Sequence, residues 1–417
     1  MAITFKKDVQ YYKFCAYGFF KNLRFFEPFL LLFFLDKGLS FLQIGTLIAI
    51  REITINIFEI PTGILADSLG RRRSMISAFV FYIVSFIIFF FSDTYWMFIV
   101  AILFYAYGDA FRTGTHKAMI FEYLKINGWE NQKVHYYGHT RSWSQTGSAV
   151  SAVLAAIIVF RTGNYSTVFL ISIIPYLIDL VLMTTYPKVL EGERRSLERG
   201  KILSTFKQTI GDFIFSFRNP GILRAILTQS VYSGYYKAVK DYLQPVIKTF
   251  ALSIPLFLYL ENEQRSALMV GLIYSIIYIL TAFMARHSGR FAERFLNAGR
   301  ALNITMLVGL LLGGFSGWFF FRNIYFPAVI FYSGVYLVEN LRKPIGIALV
   351  ADRLDRDVLA TALSAESQAE TLFAALFAPL IGFVADRWGV GQGLMIVSGL
   401  LIVLMPLYSA NVRPKKK

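Results

Sequence analysis

The chain has 417 residues, 56% of them hydrophobic and 16% charged, with a formal net charge of +16. A soluble globular chain carries about 25% charged residues, so the composition excludes a soluble domain and predicts an all-α protein embedded in a lipid bilayer. The single cysteine, Cys15, excludes a disulfide framework, a paired-cysteine redox centre and a thiolate zinc site. The basic residues gather in short loops between apolar runs, a pattern of loops facing anionic lipid rather than of a surface for nucleic acid.

A spanning helix needs about 20 mostly apolar residues, and breaks marked by charge, Gly or Pro divide the chain into twelve such segments. The first six lie at about 12–35, 40–66, 74–93, 96–121, 136–161 and 165–187. Span one contains Lys21, Arg24 and Glu27 and no small-residue cleavage site, so it reads as an uncleaved first span rather than a signal peptide. Span two carries Arg51 and Glu52 and ends in Glu59-Ile-Pro-Thr-Gly63-Ile-Leu-Ala66-Asp67, followed by Gly70 and the arginines Arg71, Arg72 and Arg73. Span four holds Asp109 and Arg112, and span five Arg141. The charged stretch 188–221 reads as a linker with an amphipathic helix, dividing the chain into an N-terminal bundle, 1–187, and a C-terminal bundle, 222–417. The last six spans lie at about 222–250, 264–287, 300–320, 324–351, 359–384 and 390–410. Span seven brings Lys237, Lys240 and Asp241, span ten Glu339, Arg342 and Lys343, and span eleven Glu366 and Glu370. Spans three, nine and twelve have essentially no charge.

The termini and every second loop hold roughly four times as many Lys and Arg as the alternate loops, which predicts that both ends and the linker are cytoplasmic. The two halves also repeat. Gly63-Ile-Leu-Ala66-Asp67 aligns with Gly289-Arg-Phe-Ala292-Glu293, Lys21 and Arg24 with Lys237 and Lys240, and Asp109 and Arg112 with Glu339 and Arg342. The offsets are all roughly 220 residues and pair each span with the sixth one after it, the mark of a duplicated bundle.

With these residues in place, the stretch from Gly63 to Arg72 resembles the loop motif of the major facilitator superfamily, G-x-L-A-D-R-x-G-R-R between spans two and three. Gly63, Leu65, Ala66, Asp67, Gly70, Arg71 and Arg72 match, and Ser68 stands where the family has arginine. Taken with the span count, linker and repeat, the resemblance covers essentially the whole chain. It implies twelve transmembrane helices in two pseudo-twofold six-helix bundles, a monomeric carrier, and a central cavity lined by spans one, four, seven and ten. It also implies that Gly63, Asp67, Gly70, Arg71 and Arg72 form a gating latch on the cytoplasmic side. Physically, Gly63 would let helices approach closely, and Asp67 could meet the positive N-terminal end of another helix. The Glu59-Ile-Pro-Thr-Gly63 lead-in is similar to a bacterial subgroup of exporter-like and drug-efflux-like facilitators, which implies the inner membrane. The G-x-x-x-G-P pattern of drug-proton antiporters is missing, and Gln145-Thr-Gly147-Ser stands in its place.

A charge inside a span costs roughly 2.5 to 3.5 kcal/mol on insertion scales and marks function by default. Here the charges concentrate on spans one, four, seven and ten. Arg24 and Glu27, Asp109 and Arg112, Lys237 and Asp241, and Glu339 and Arg342 are three or four residues apart, so each pair shares a helical face and is able to pair. The plainer reading makes them self-satisfied pairs that stiffen the bundle. Among the charges named on these helices bases outnumber acids seven to four, which favours an anionic, zwitterionic or amphipathic small organic solute. If such a solute engaged Arg112 or Arg342, the released Asp109 or Glu339 would take up a proton, so proton coupling is expected. No phosphate-binding loop supports an ATP-driven pump, the four histidines show no metal spacing, and no cofactor is expected. A flippase or efflux antiporter of the same fold is the alternative, and a membrane-embedded enzyme is the rival from another class.

Overall fold

The computed structural model describes residues 6–191, 211, 220–295, 297–352 and 356–409. Most of the expected linker, Arg353 and the terminal lysines Lys415 to Lys417 lie outside the described residues. Among the described residues there is no strand, and the helices take up the expected spans. Span one is broken into α1 (Val9–Lys21) and α2 (Leu30–Asp36), with a single 3-10 turn, Glu27–Phe29, between them. Pro28 lies in that turn and has no N–H with which to continue a helix. Span two is α3 (Phe41–Leu69) and span three α4 (Arg71–Phe91). Span four breaks into α5 (Tyr95–Arg112) and α6 (Thr115–Ile126) at Gly114, whose φ of 77° is a conformation glycine adopts without steric cost. Spans five and six are α7 (Lys133–Thr162) and α8 (Thr167–Thr184). Span seven breaks into α9 (Pro220–Val239) and α10 (Leu243–Ser253), with Pro245 in the first turn of α10, where a missing N–H leaves no bond unmade. The remaining spans are α11 (Asn262–Glu293), α12 (Ala298–Phe321), α13 (Tyr325–Asp352), α14 (Arg356–Trp388) and α15 (Val390–Tyr408).

Among the described residues, 8 helices are long and apolar enough to cross a membrane, and they belong to spans two, three, five, six, eight, nine, eleven and twelve. The four spans that fall short are one, four, seven and ten, the same four on which the sequence concentrates its charges.

By internal packing the chain divides into two units, residues 1–29 with 54–206 and residues 30–53 with 207–417. In the first, α4 packs on α5 and α8, and α1 on α7. Aromatic rings fill its core: Tyr82 lies 5.2 Å from both Tyr105 and Tyr176, and Phe89 lies 4.7 Å from Phe169. Ring pairs of this kind contribute about 0.5 to 1.5 kcal/mol beyond their burial. In the second unit α9 packs on α14, and α12 on α13 and α15. Two helix starts in this unit are capped from far along the chain. The side-chain carbonyl of Gln244 accepts from the backbone N–H groups of Leu31 (2.8 Å) and Leu32 (3.3 Å) at α2. The Asp386 carboxylate accepts from those of Phe41 (2.7 Å) and Leu42 (2.8 Å) at α3, satisfying donors that have no partner within the helix.

Close helix approach is made at other glycines than the sequence predicts. Gly63 is exposed, and a Cβ there would meet nothing within 4 Å, so the expected close packing at this position is not seen. Instead α1 and α7 meet at Gly18 and Gly147, where a Cβ would run into Ser144 and into the Phe19 carbonyl. Gly147→Leu should therefore cost about 1 to 3 kcal/mol through overpacking and lower the melting temperature of the detergent-solubilised protein, whereas Gly63→Ala should leave it unchanged.

Candidate functional site

A cavity of about 300 Å³ opens in the first unit. Lys21 reaches it from α1, Arg112 from the end of α5, His116 and Lys117 from α6, and Arg141 from α7, and among the described residues no Asp or Glu lines it. The helix break at Gly114 lets Arg112 and His116, only four residues apart, serve the same space. Lys21 is 6% exposed, and among the described residues no carboxylate comes within salt-bridge distance of its ammonium. Arg112 donates to Asp109 (3.0 Å) and to the Tyr82 hydroxyl (3.0 Å), which itself donates to Asp109 (2.5 Å). This trio holds the guanidinium at the cavity wall. His116 is buried, stacked on Tyr17 at 3.6 Å between centroids, with Nε2 3.2 Å from the Tyr186 hydroxyl. Lys117 stands over the rings of Phe121 and Tyr137 at 5.5 and 5.6 Å, a contact that holds a cation without neutralising it.

The second unit treats its charges differently. Lys237 of α9 bridges Glu52 of α3 (3.2 Å) and Glu370 of α14 (3.2 Å). Arg51 adds a bond to Glu52 (2.8 Å), and Lys343 of α13 approaches Glu370 (3.6 Å). Glu52 and Glu370 are both buried, so the network neutralises charges that would be costly alone.

Two expected pairs form: Arg24 lies 3.8 Å from Glu27, and Arg112 3.0 Å from Asp109. The other two do not. Lys237 turns to Glu52 and Glu370 instead of Asp241, which lies 3.8 Å from Lys240. Glu339 accepts from Ser233 Oγ (2.8 Å), while the fully buried Arg342 donates to the Thr228 carbonyl (2.9 Å) and covers the Tyr232 ring at 4.4 Å. Helical spacing makes a pair able to form, but partners on neighbouring helices offer shorter contacts here.

In the motif region, Asp67 lies 3.7 Å from Arg71, which also reaches Glu122 at 3.6 Å. Gly70 starts α4 with a φ of 104° and sits against the buried Glu191 carboxylate, and Arg72 follows in the first turn of α4. The sequence reading passed over two buried residues. Arg265 donates to the carbonyls of Ala251, Leu252 and Ile254 (3.1, 3.3 and 2.7 Å) at the C-terminal end of α10, a place where a cation is favoured. Asp179 is the lone charge of α8 and is completely buried; a single acid in an otherwise uncharged span was the available signal.

An open cavity edged by cations, with the buried Lys21 free of any salt bridge among the described residues, in a chain of long apolar helices is the equipment of a membrane carrier. The description of the Major Facilitator Superfamily matches residues 14–369, and the chain belongs to that superfamily; it is a multi-pass, all-α membrane transporter with its twelve-helix fold. It is 21% identical over 395 residues to an uncharacterized MFS-type transporter, YxaM, of Bacillus subtilis (strain 168), covering 94% of this chain and 92% of that protein. Among solved structures it resembles the nucleoside transporter NupG (TM-score 0.73, 14% identity, 97% of each chain). It also resembles a D-xylose-proton symporter (TM-score 0.68, 14% identity, 96% of each chain). These likenesses show the fold.

Lys237 is shared by both carboxylates; without it Glu52 keeps Arg51, but Glu370 is left with the more distant Lys343. Lys237→Met should destabilise the protein by about 3 to 5 kcal/mol, read as a fall in melting temperature. Adding Glu370→Gln to that variant should restore part of the loss, because the lysine it releases is already half exposed.

Proposed function

We propose that this protein is a secondary transporter for a small organic anion, working by alternating access and coupled to protons. The observation that carries the reading is the cavity wall, where Lys21, Arg112, Lys117 and Arg141 stand with no lining carboxylate. Four cations around a space of about 300 Å³ leave a surplus of positive charge that a monoanion or dianion of modest size would complete. The rings of Phe14, Tyr17 and Tyr137 on the same wall suit a solute with an apolar or aromatic part. In this reading the chain lies in a bacterial inner membrane as a monomer with both ends cytoplasmic. Residues 1–187 and 222–417 form the two bundles around the linker 188–221, and Asp67 with Gly70, Arg71 and Arg72 forms the latch.

On charge, Lys237, Lys240 and Arg342 belong to the same transport pathway as Lys21 and Arg24, with Glu27, Asp241 and Glu339 as their counter-charges. Of the two acids expected to exchange the coupled proton, Asp109 is held by Arg112 and Tyr82 and Glu339 by Ser233.

Two ring compounds of similar size and opposite charge test the central claim. Benzenesulfonate should raise the melting temperature of the purified protein, because a ligand of the folded state stabilises it, and benzyltrimethylammonium should not. Lys21→Ala with Arg141→Ala should abolish the benzenesulfonate effect. Stabilisation by the cation alone would refute the anion reading.

The latch has its own test. Asp67→Asn should lower flux in proteoliposomes several-fold at equal reconstitution, with melting temperature unchanged, because it acts on an equilibrium between states rather than on the core.

A further inference from the structure

Asp179 lies behind the cavity and differs from every acid in the networks above. Its side chain is completely buried, and among the described residues neither carboxyl oxygen has a hydrogen-bond partner. A carboxylate left this way in a span is costly unless it is neutralised.

Its surroundings connect it to the cavity. Helices α1 and α8 run side by side: Lys13 Nζ donates to the Thr185 carbonyl (2.9 Å) at one end, and the Tyr176 hydroxyl donates to the Lys21 carbonyl (3.3 Å) further along. Tyr17 lies on α1 midway between these two contacts, and Asp179 lies on α8 between the same two. The Tyr17 ring is stacked on His116, and Tyr17, His116 and Arg112 all line the cavity. Tyr186, just beyond α8, donates to the Lys13 carbonyl (3.3 Å) and lies 3.2 Å from His116 Nε2. Of the cations along these elements, Lys13 is engaged with Thr185, Arg24 with Glu27 and Arg112 with Asp109, while Lys21, whose carbonyl accepts from Tyr176, lines the cavity and forms no salt bridge with Asp179. From α4 the titratable residue facing α8 is Tyr82, itself bound to Asp109. The buried residues of α7 beyond Gly147 are the neutral Ser151, Ala152, Ala155, Ala156 and Val159.

We propose that Asp179 is a proton-binding site, linked through Tyr17 to Arg112 and so to the anion in the cavity. Proton uptake forms one O–H bond on an Asp179 oxygen, the proton arriving from water in the cavity; release reverses it, and no electrons move. An anion in the cavity brings negative charge to the side of Tyr17 away from Asp179, and a negative charge nearby favours the protonated acid. Anion and proton therefore load together. The inference rests on the anion reading of the cavity and places the coupled proton on Asp179 rather than on Asp109 or Glu339.

Infrared difference spectroscopy of the protein in liposomes, between about pH 6 and about pH 9, tests the site without any solute. The wild type should show the carbonyl stretch of a protonated carboxyl that is missing in Asp179→Asn and kept in Asp109→Asn. Should the amide variant fail to fold, Asp179→Leu replaces it. A spectrum identical in wild type and the Asp179 variant overturns the proposal. In proteoliposomes, the Asp179 variant should keep equilibrium exchange of labelled benzenesulfonate but lose at least tenfold of the accumulation driven by an imposed pH gradient. Accumulation at the wild-type rate overturns the coupling role. If the wild type neither binds nor exchanges benzenesulfonate, the anion reading fails, and the infrared band still decides whether Asp179 holds a proton.

Discussion

A charged side chain carried into the hydrocarbon layer has to be met by an opposite charge, by hydrogen bonds or by water, and much of this molecule is arranged around that demand. It falls on spans one, four, seven and ten. Three of these are broken, at Pro28, at Gly114 and ahead of Pro245, and each break exposes backbone groups that need protein or water to satisfy them. The other eight spans remain continuous and apolar.

The two units answer the demand in different ways although their sequences repeat. Lys21 and Lys237 are equivalent in the repeat. Lys21 faces a cavity with no acid on its wall, whereas Lys237 is clamped between Glu52 and Glu370. Likewise Arg112 keeps its helical neighbour Asp109, whereas Arg342 spends its bonds on backbone carbonyls and a tyrosine ring. One unit leaves its lysine without an acid beside it among the described residues, and the other holds the equivalent lysine between two. The repeat supplies the positions, and the differing neighbours give them different partners.

Long-range polar contacts also set where helices begin. Gln244 and Asp386 cap α2 and α3 across more than 200 residues of sequence, with their acceptors within 3.3 Å of the backbone donors. Such caps hold only while the elements stay packed, so they tie the register of residues 30–53 to the rest of the second unit.

The sequence by itself determined the spans, their number and the superfamily, and it marked the four helices on which charge concentrates. It could do so because apolar length and the spacing of charge are local properties, legible along one strand of text. The Arg24–Glu27 and Asp109–Arg112 pairs were legible for the same reason, being one helical turn apart. Tertiary structure alone decided which of the other charges meet. Lys237 chose Glu52, 185 residues away, over Asp241 on its own face, and Gly63 packs against nothing while Gly147 meets Phe19. Asp179 could be read as an unusual letter in an apolar word, but that it is sealed without a partner behind Tyr17 is a statement about α1, α4 and α8 together. Partner choice between helices depends on distances of a few ångströms, and no spacing along the chain encodes them.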